Sequence, residues 1–350
     1  MIKKIIIGLF ILLATASQLS ATSLRSLDPV VIGLSLADLK EERWKRDRDM
    51  FTAEVEKIGS RVLVRDAGGD ARVQIEQCSN LLSQGVKALV VIPKNADAAA
   101  PIVAAARKKG VHVISYDRLI TQENPEVYIS FDNFKVGEIQ ATEILKRAPK
   151  GKYLLLGGDP ADQNAFMLRE GQMKVLKPAI ETGDIQIVAD PFCDKWLRSE
   201  AARYTEDAIS KHPDLVAIVA SNDGTAGGAI AVLKAKNKAG QVVVSGQDAD
   251  IEAVRNVAKG LQAVTVYKPI RKIAEFAANV AVILAQSDSF EATDGVLSGG
   301  KSWDAHFQRL KNGAFETNTY FIDPVPVTRD NIDATVIADG FHTREQVYAE

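Results

Sequence analysis

Ala88-Leu-Val-Val-Ile92, Ala98-Ala-Ala-Pro-Ile-Val-Ala-Ala-Ala-Arg-Lys-Lys109, Gly110, His112-Val-Ile-Ser-Tyr116 and Asp117-Arg118 follow one another within thirty-one residues. A short apolar run reads as a strand buried on both faces, and the alanine-rich segment closed by Gly110 reads as a helix with its C-terminal stop. A second β-branched run then ends on a charged pair. Strand, helix, strand with no hairpin turn is the grammar of a parallel sheet covered by helices.

Working outward, the same alternation continues in both directions. Strands are expected at Val30–Leu36, Arg61–Arg65 and Tyr128–Phe131, and a helix over Arg43–Ile58 has Trp44, Phe51, Val55 and Ile58 at helical spacing. The pattern then restarts. Strands near Tyr153–Leu156, Ile185–Val188, Ala217–Ala220, Val242–Ser245 and Ala263–Val266 are separated by helices around Val136–Lys146, Asn164–Leu176, Ser199–Ser210, Gly227–Ala235 and Ile251–Ala258. The fold class expected is α/β, two doubly wound parallel-sheet lobes, and 350 residues suit two such lobes. No Gly/Ser/Pro-rich tether separates them, which points to hinge strands. The amphipathic segment Pro269–Ala285 follows a completed second sheet and is expected to return to the first lobe. The division expected is residues 28–133 with 269–292 in the N-terminal lobe and 134–268 with 293–350 in the C-terminal lobe. Thr319–Pro324 and Ala334–Ile337 are strand candidates without an assigned place.

Composition sets bounds on function. With 46% hydrophobic and 25% charged residues and a formal net charge of −2, the chain is an ordinary globular protein without the basic excess of a nucleic-acid binder. Lys3 and Lys4 precede an apolar run from Ile5 to Ala14, followed by small residues through Ala21. That is the form of a cleavable signal peptide, expected over residues 1–21, and the run is too short to cross a bilayer. The mature protein is therefore expected outside the cytoplasmic membrane. Two cysteines, Cys78 and Cys193, make no disulfide framework and read as unpaired thiols.

Ligands in open parallel sheets bind beyond the carboxyl ends of the strands. Those positions here carry Asp38, Arg43 and Trp44; Asp117 and Arg118; Asp162, Gln163 and Asn164; Ser221, Asn222 and Asp223; Gln247 and Asp248; and Lys268. Charged and amide groups of this kind can align with the hydroxyls of a sugar, while indoles lie against its C–H faces. Each residue also has a simpler use. Asp38, Asp162 and Asp223 fit helix caps, the charges between Glu41 and Asp49 fit a solvated helix face, and Trp44 and Trp196 fit core positions. His112, His212, His306 and His342 fall outside the post-strand motifs and fit surface or packing roles.

Several segments together resemble the type I periplasmic sugar-binding proteins, the soluble receptors of ABC importers, and within them the xylose-binding branch. They are Asp38-Leu-Lys-Glu-Glu-Arg-Trp-Lys-Arg-Asp-Arg-Asp49, Tyr116-Asp-Arg118, Ile129-Ser-Phe-Asp-Asn133, Gly171-Gln-Met-Lys-Val-Leu-Lys-Pro178, Ala220-Ser-Asn-Asp223, Thr225-Ala-Gly-Gly228, Ser245-Gly-Gln-Asp-Ala-Asp250 and Val266-Tyr-Lys-Pro269. The likeness runs from about Val31 to His342. It implies a three-segment hinge, a membrane permease as partner and a xylose-like monosaccharide as ligand, with glucose, arabinose and ribose left open; a monomer is the default expectation. It also implies sugar contacts from Arg43, Asp117 and Arg118 on the first lobe and from Asp162, Asn164, Asn222, Asp248 and Lys268 on the second lobe and hinge, with Trp44 and Trp196 against the ring. Ser298–Asn318 departs from the family pattern, being longer and richer in charged and aromatic residues.

Enzyme readings fare worse. No strand is followed by Gly-x-Gly-x-x-Gly: Gly224-Thr-Ala-Gly-Gly228 and Gly157-Gly158 have the wrong spacing. Asp117 and Asp248 could form a hydrolytic carboxylate pair, but the neighbouring Arg and Lys would keep both ionised and leave no general acid. A sugar-sensing regulator would need a DNA-reading helix-turn-helix before Val30, where this chain has its export signal. Asp159-Pro-Ala-Asp-Gln-Asn164 lacks calcium-loop spacing, so neither metal nor cofactor is expected.

Overall fold

The computed structural model describes residues 29–286 and 303–349. The signal segment expected over residues 1–21 and the lobe boundary expected at 292/293 lie outside the described residues. In chain order the first half runs β1 (Val31–Leu36), α1 (Glu42–Lys57), β2 (Arg61–Asp66), α2 (Ala71–Ser83), β3 (Ala88–Val91), α3 (Ala100–Lys108), β4 (His112–Tyr116) and β5 (Val127–Phe131). The second half runs α4 (Asn133–Arg147), β6 (Gly151–Leu156), α5 (Gln163–Glu181), β7 (Ile185–Ala189), α6 (Arg198–Lys211), β8 (Leu215–Ala220), α7 (Asp223–Ala235), β9 (Val243–Gln247), α8 (Ile251–Ala258) and β10 (Val264–Tyr267). The remainder comprises α9 (Ile270–Gln286), β11 (Ala305–Asn312), β12 (Phe315–Ile322), β13 (Val325–Val327) and α10 (Arg344–Tyr348).

These elements build two sheets, ordered β11-β12-β5-β4-β3-β1-β2 and β13-β10-β9-β8-β6-β7. Pairing is parallel except where β11 meets β12 and where β13 meets β10. The fold is α/β with two helix-covered, predominantly parallel sheets. Strands β3 and β5 are buried along their whole length, as sheets covered on both faces require. Gly110 takes a φ of +67° at the end of α3, a conformation that costs glycine nothing and stops the helix. Asp132, Asp162 and Asn222 cap α4, α5 and α7 by accepting backbone N–H groups of the first turn.

Helix α9 packs its apolar face on the first sheet, with Ile273, Phe276, Ala277, Val280 and Leu284 in one core with Ile32, Ile114 and Ile129. Val327, Ile332, Val336, Phe341 and Val347 instead join Val254, Val257 and Tyr267 of the second sheet's side. Among the described residues the chain passes between the sheets at Phe131–Asn133, Tyr267–Ile270 and Ile322–Val325.

The expected division of the chain needs one correction. Residues 293–350 are expected in the C-terminal lobe, yet β11 and β12 extend the first sheet through the β12–β5 ladder, from Thr319↔Tyr128 to Ile322↔Phe131. The reason is packing: Phe307 and Tyr320 stack on each other, and Tyr320 stands edge-on to Phe276 of α9 at 5.0 Å. Most of the segment that departs from the family pattern is therefore an antiparallel hairpin added to the edge of the first sheet. Ala334–Ile337, a strand candidate, is a helical turn.

Candidate functional site

The carboxyl ends of the two sheets face each other across one small cavity. Its walls are Arg43, Trp44, Asp117, Arg118, Asp162, Asn164, Trp196, Asn222, Asp248 and Lys268, joined by Glu41 and Gln247. Each wall residue sits where a strand has just ended. Arg43 and Trp44 open α1 after β1, Asp117 and Arg118 follow β4, and Asp162 and Asn164 start α5 after β6. Trp196 lies in the turn after β7, Asn222 caps α7 after β8, Asp248 follows β9, and Lys268 stands in the crossing after β10.

Arg43 organises the floor. It is 4% exposed and meets three carboxylates: Asp117 at 2.6 Å, Asp248 at 3.3 Å and Asp47 at 3.4 Å. The Tyr116 hydroxyl also donates to Asp47. Taking an arginine and three acids out of water is costly, so the group is stable only as a set, and deleting one member strands the others. Burial alone would raise Asp117, but Arg43, Lys268 and Arg118 overcome it and hold its carboxyl below the ordinary range. Asp47, one layer deeper, is pushed up to about 6 by burial despite Arg43.

A second ion pair joins the opposite walls, with Arg118 Nε 2.8 Å from Asp162 Oδ2. The same carboxylate accepts a hydrogen bond from Trp196 Nε1 at 3.2 Å and, at Oδ1, from the Asn164 backbone N–H. Asp162 is thus both helix cap and site residue. Asn164 Nδ2 donates to the Asp117 carbonyl at 3.0 Å, while its Oδ1 accepts from Asn133 Nδ2 and the Tyr128 hydroxyl. Ser130 also donates to the Asp117 carbonyl, which lies 3.0 Å from the Tyr128 hydroxyl oxygen. That cage holds Asp117 at a φ of +59°, an uncommon conformation for a residue with a side chain.

Not every polar group is used up by protein partners. Arg118 Nη1 and Nη2 and Lys268 Nζ have no hydrogen-bonding partner among the described residues. Lys268 Nζ lies 5.7 Å over the Phe131 ring. Burial lowers the Lys268 ammonium, opposed by Asp117 and Asp248. Such groups are donors waiting for acceptors, because leaving them dry costs free energy. The two indoles are held differently. Trp44 is 2% exposed, belongs to the first lobe's core and lies under the guanidinium groups of Arg43 at 4.2 Å and Arg118 at 5.0 Å. Trp196, half-buried, rests on Gly158, whose missing side chain makes the room: a Cβ there would stand 2.0 Å from the ring.

All ten residues that the resemblance implies line this one cavity, whereas Asp38, Gln163, Ser221 and Asp223, named beside them at the strand ends, do not. Two further wall residues stand outside those ten. Glu41, at the N-cap of α1, reads as one of the solvated charges, but burial pushes its carboxyl up to about 7, opposed by Arg118 and Arg43 and assisted by Asp248 and Asp38. Gln247 stands out only as the neighbour of Asp248, and its Oε1 is buried without a hydrogen-bonding partner. Residue type gives no signal for either; position directly beside a site residue is the available hint. Asp223 is not the cap of α7, a role Asn222 fills with Thr225 in a reciprocal capping box.

The chain matches the model of the "Periplasmic binding protein domain" family over residues 32–289. It belongs to the periplasmic binding proteins. Among its relatives, the D-xylose-binding periplasmic protein of Haemophilus influenzae is 44% identical over 318 residues, covering 91% of this chain and 92% of that protein. The D-xylose-binding periplasmic protein of Escherichia coli is 40% identical over 339 residues, covering 96% and 98%. A solved ABC transporter solute-binding protein from Clostridium phytofermentans with bound β-D-glucose superimposes with a TM-score of 0.79 at 28% identity, covering 91% of this chain and 99% of the other. Like these relatives, this periplasmic binding protein is a sugar-binding component of transport and not an enzyme.

Proposed function

We propose that the protein captures one molecule of D-xylose in the cavity between its sheets, in the periplasm, and delivers it to the membrane permease of an ABC importer. The observation that carries the reading is the wall itself: three cations, four carboxylates, three amides and two indoles converge from both lobes on one small cavity. A hydroxyl both donates and accepts, so one ring of hydroxyls can satisfy Lys268, Arg118 and Gln247 Oε1 while donating to Asp117, Asp162 and Asp248. Two relatives named for D-xylose, at 44% and 40% identity, support the choice of sugar.

Binding follows as a population shift. Arg43–Asp248 and Arg118–Asp162 join residues carried by different sheets, so a ligand touching all four favours the arrangement in which the lobes meet. The ten wall residues act together: Arg43, Asp117 and Arg118 from one side, Asp162, Asn164, Asn222, Asp248 and Lys268 from the other, and Trp44 and Trp196 against the ring. The signal segment expected at residues 1–21 would export the chain.

Calorimetric titration with D-xylose, D-glucose, L-arabinose, D-ribose and D-galactose tests the reading. D-xylose is expected to bind most tightly; no heat with any sugar refutes it. D-glucose in first place would instead favour the ligand of the solved relatives at 28% and 27% identity.

A further inference from the structure

Asp248 and Ala249 form a pair of consecutive non-glycine residues with φ of +97° and +55°. Side chains rarely adopt this region, and two in succession persist only where the surroundings over-determine them. Here the backbone of the turn is tied at four points. Asp248 N–H donates to the Val266 carbonyl at 2.9 Å. Ala249 N–H donates to Thr265 Oγ1 at 3.0 Å, and its carbonyl meets His342 Nε2 at 2.7 Å. Asp250 N–H donates to Asp223 Oδ2 at 3.0 Å.

The ties are themselves linked. Thr265 Oγ1 donates onward to Asp223 Oδ2 at 2.8 Å, and Gln262 Nε2 donates to Asp223 Oδ1 at 2.9 Å. The Asp223 carboxyl therefore collects three donors from two segments of chain, the Asp250 turn and the Gln262–Thr265 stretch. It is packed so closely that a Cβ on Gly246 would lie 2.1 Å from its Oδ1. Asp223, Thr265 and His342 are all buried, and none of them lines the cavity. His342 arrives from the far end of the chain, beyond the third passage between the sheets.

We propose that Asp223, Thr265 and His342 are positioning residues that clamp the left-handed Asp248-Ala249 turn and so aim the Asp248 carboxylate at Arg43 and into the cavity. The clamp rests on the reading of the cavity as the sugar site. It acts through Asp248 alone: without the clamp the turn relaxes toward ordinary backbone, and the carboxylate leaves its place 3.3 Å from Arg43.

The test is a double-mutant cycle read by calorimetric titration with D-xylose. Thr265→Val keeps the shape and removes the hydroxyl; it is expected to weaken binding about tenfold, while Thr265→Ser stays within about threefold of the parent. In an Asp248→Ala background Thr265→Val is expected to cost no further affinity, because residues that act through one another are not additive. Unchanged affinity in Thr265→Val, or the same loss with and without Asp248, overturns the proposal. Should Thr265→Val not fold, His342→Leu against His342→Gln makes the same comparison at the other peptide group. A parent protein that binds none of the sugars refutes the sugar reading instead. The clamp is then decided by a crystal structure of Thr265→Val: Asp248 still left-handed against Arg43 overturns it, and a released turn supports it.

Discussion

Gly158→Ala isolates the contribution of Trp196 without touching a single charge. The added Cβ would stand 2.0 Å from Cη2 and 2.3 Å from Cζ2 and Cζ3 of the indole, where ordinary contact begins at 3.4 Å. The ring must therefore retreat by about 1.4 Å, well beyond the roughly 0.5 Å range over which N–H···O distances vary. Trp196 Nε1 now donates to Asp162 Oδ2 across 3.2 Å, so little stretch remains before that bond is gone. Gly158 itself lies outside the left-handed region, so alanine adds bulk and no backbone strain. A hydrogen bond to a charged group is worth about 1.5–3 kcal/mol, and the expected loss of sugar affinity is about tenfold to a hundredfold. The assay is calorimetric titration with D-xylose, beside a thermal melt to verify folding. A folded Gly158→Ala protein that binds within about twofold of the parent would refute the account of Trp196 as a wall of the site.

Other perturbations probe other parts of the cavity. Arg118→Ala strands Asp162, and Asp248→Ala leaves Arg43 short of a partner; each is expected to weaken sugar binding by at least about 2 kcal/mol in calorimetry, and near-parental affinity would argue that these pairs are idle. Trp44 and Trp196 are two of three tryptophans in the chain, so saturating sugar is expected to change intrinsic fluorescence, and Trp196→Phe to remove much of that change. Glu41→Gln probes pH. The folded protein holds the Glu41 proton up to about 7, against about 4.5 for a free glutamate, so ionisation destabilises the fold as pH rises through that window. The variant, uncharged throughout, is expected to melt near the parent below pH 4.5, to gain on it as pH rises from there to about 7, and to keep a constant lead above that; a difference independent of pH would contradict the raised pKa of this carboxyl.

Much of the site is readable in the sequence because its geometry is a consequence of topology. In a parallel sheet every strand delivers its next residue to the same edge, so the residues just past the strand ends together make a wall. Asp117 after β4 and Asp248 after β9 need no further knowledge than where the strands end. Asp162 shows the limit of reading by role, since it caps α5 and pairs with Arg118 at once. Glu41 escapes, and Gln247 is named at a strand end without being counted a contact, because their neighbours Arg43 and Asp248 give the stronger signal and Glu41 sits in a run dense with charges, several of them exposed. The edge hairpin β11–β12 is misplaced by the sequence reading because its residues alternate weakly: Phe307 and Tyr320 choose the first sheet only once α9 has placed Phe276 there.

What the sequence determined by itself is periodic or local: the alternation that makes two parallel sheets, the cap at Asp162, and the polar residues at strand ends. Those signals lie within a few residues of what they specify, so they survive without coordinates. Tertiary structure alone decided which distant groups meet. Arg43 and Asp248 are 205 residues apart, Ala249 and His342 are 93 apart, and Gly158 must lack a side chain for Trp196 to lie on it. No local propensity encodes such meetings, because they exist only when two separately folded layers are brought together and a buried charge must find its partner there or not at all.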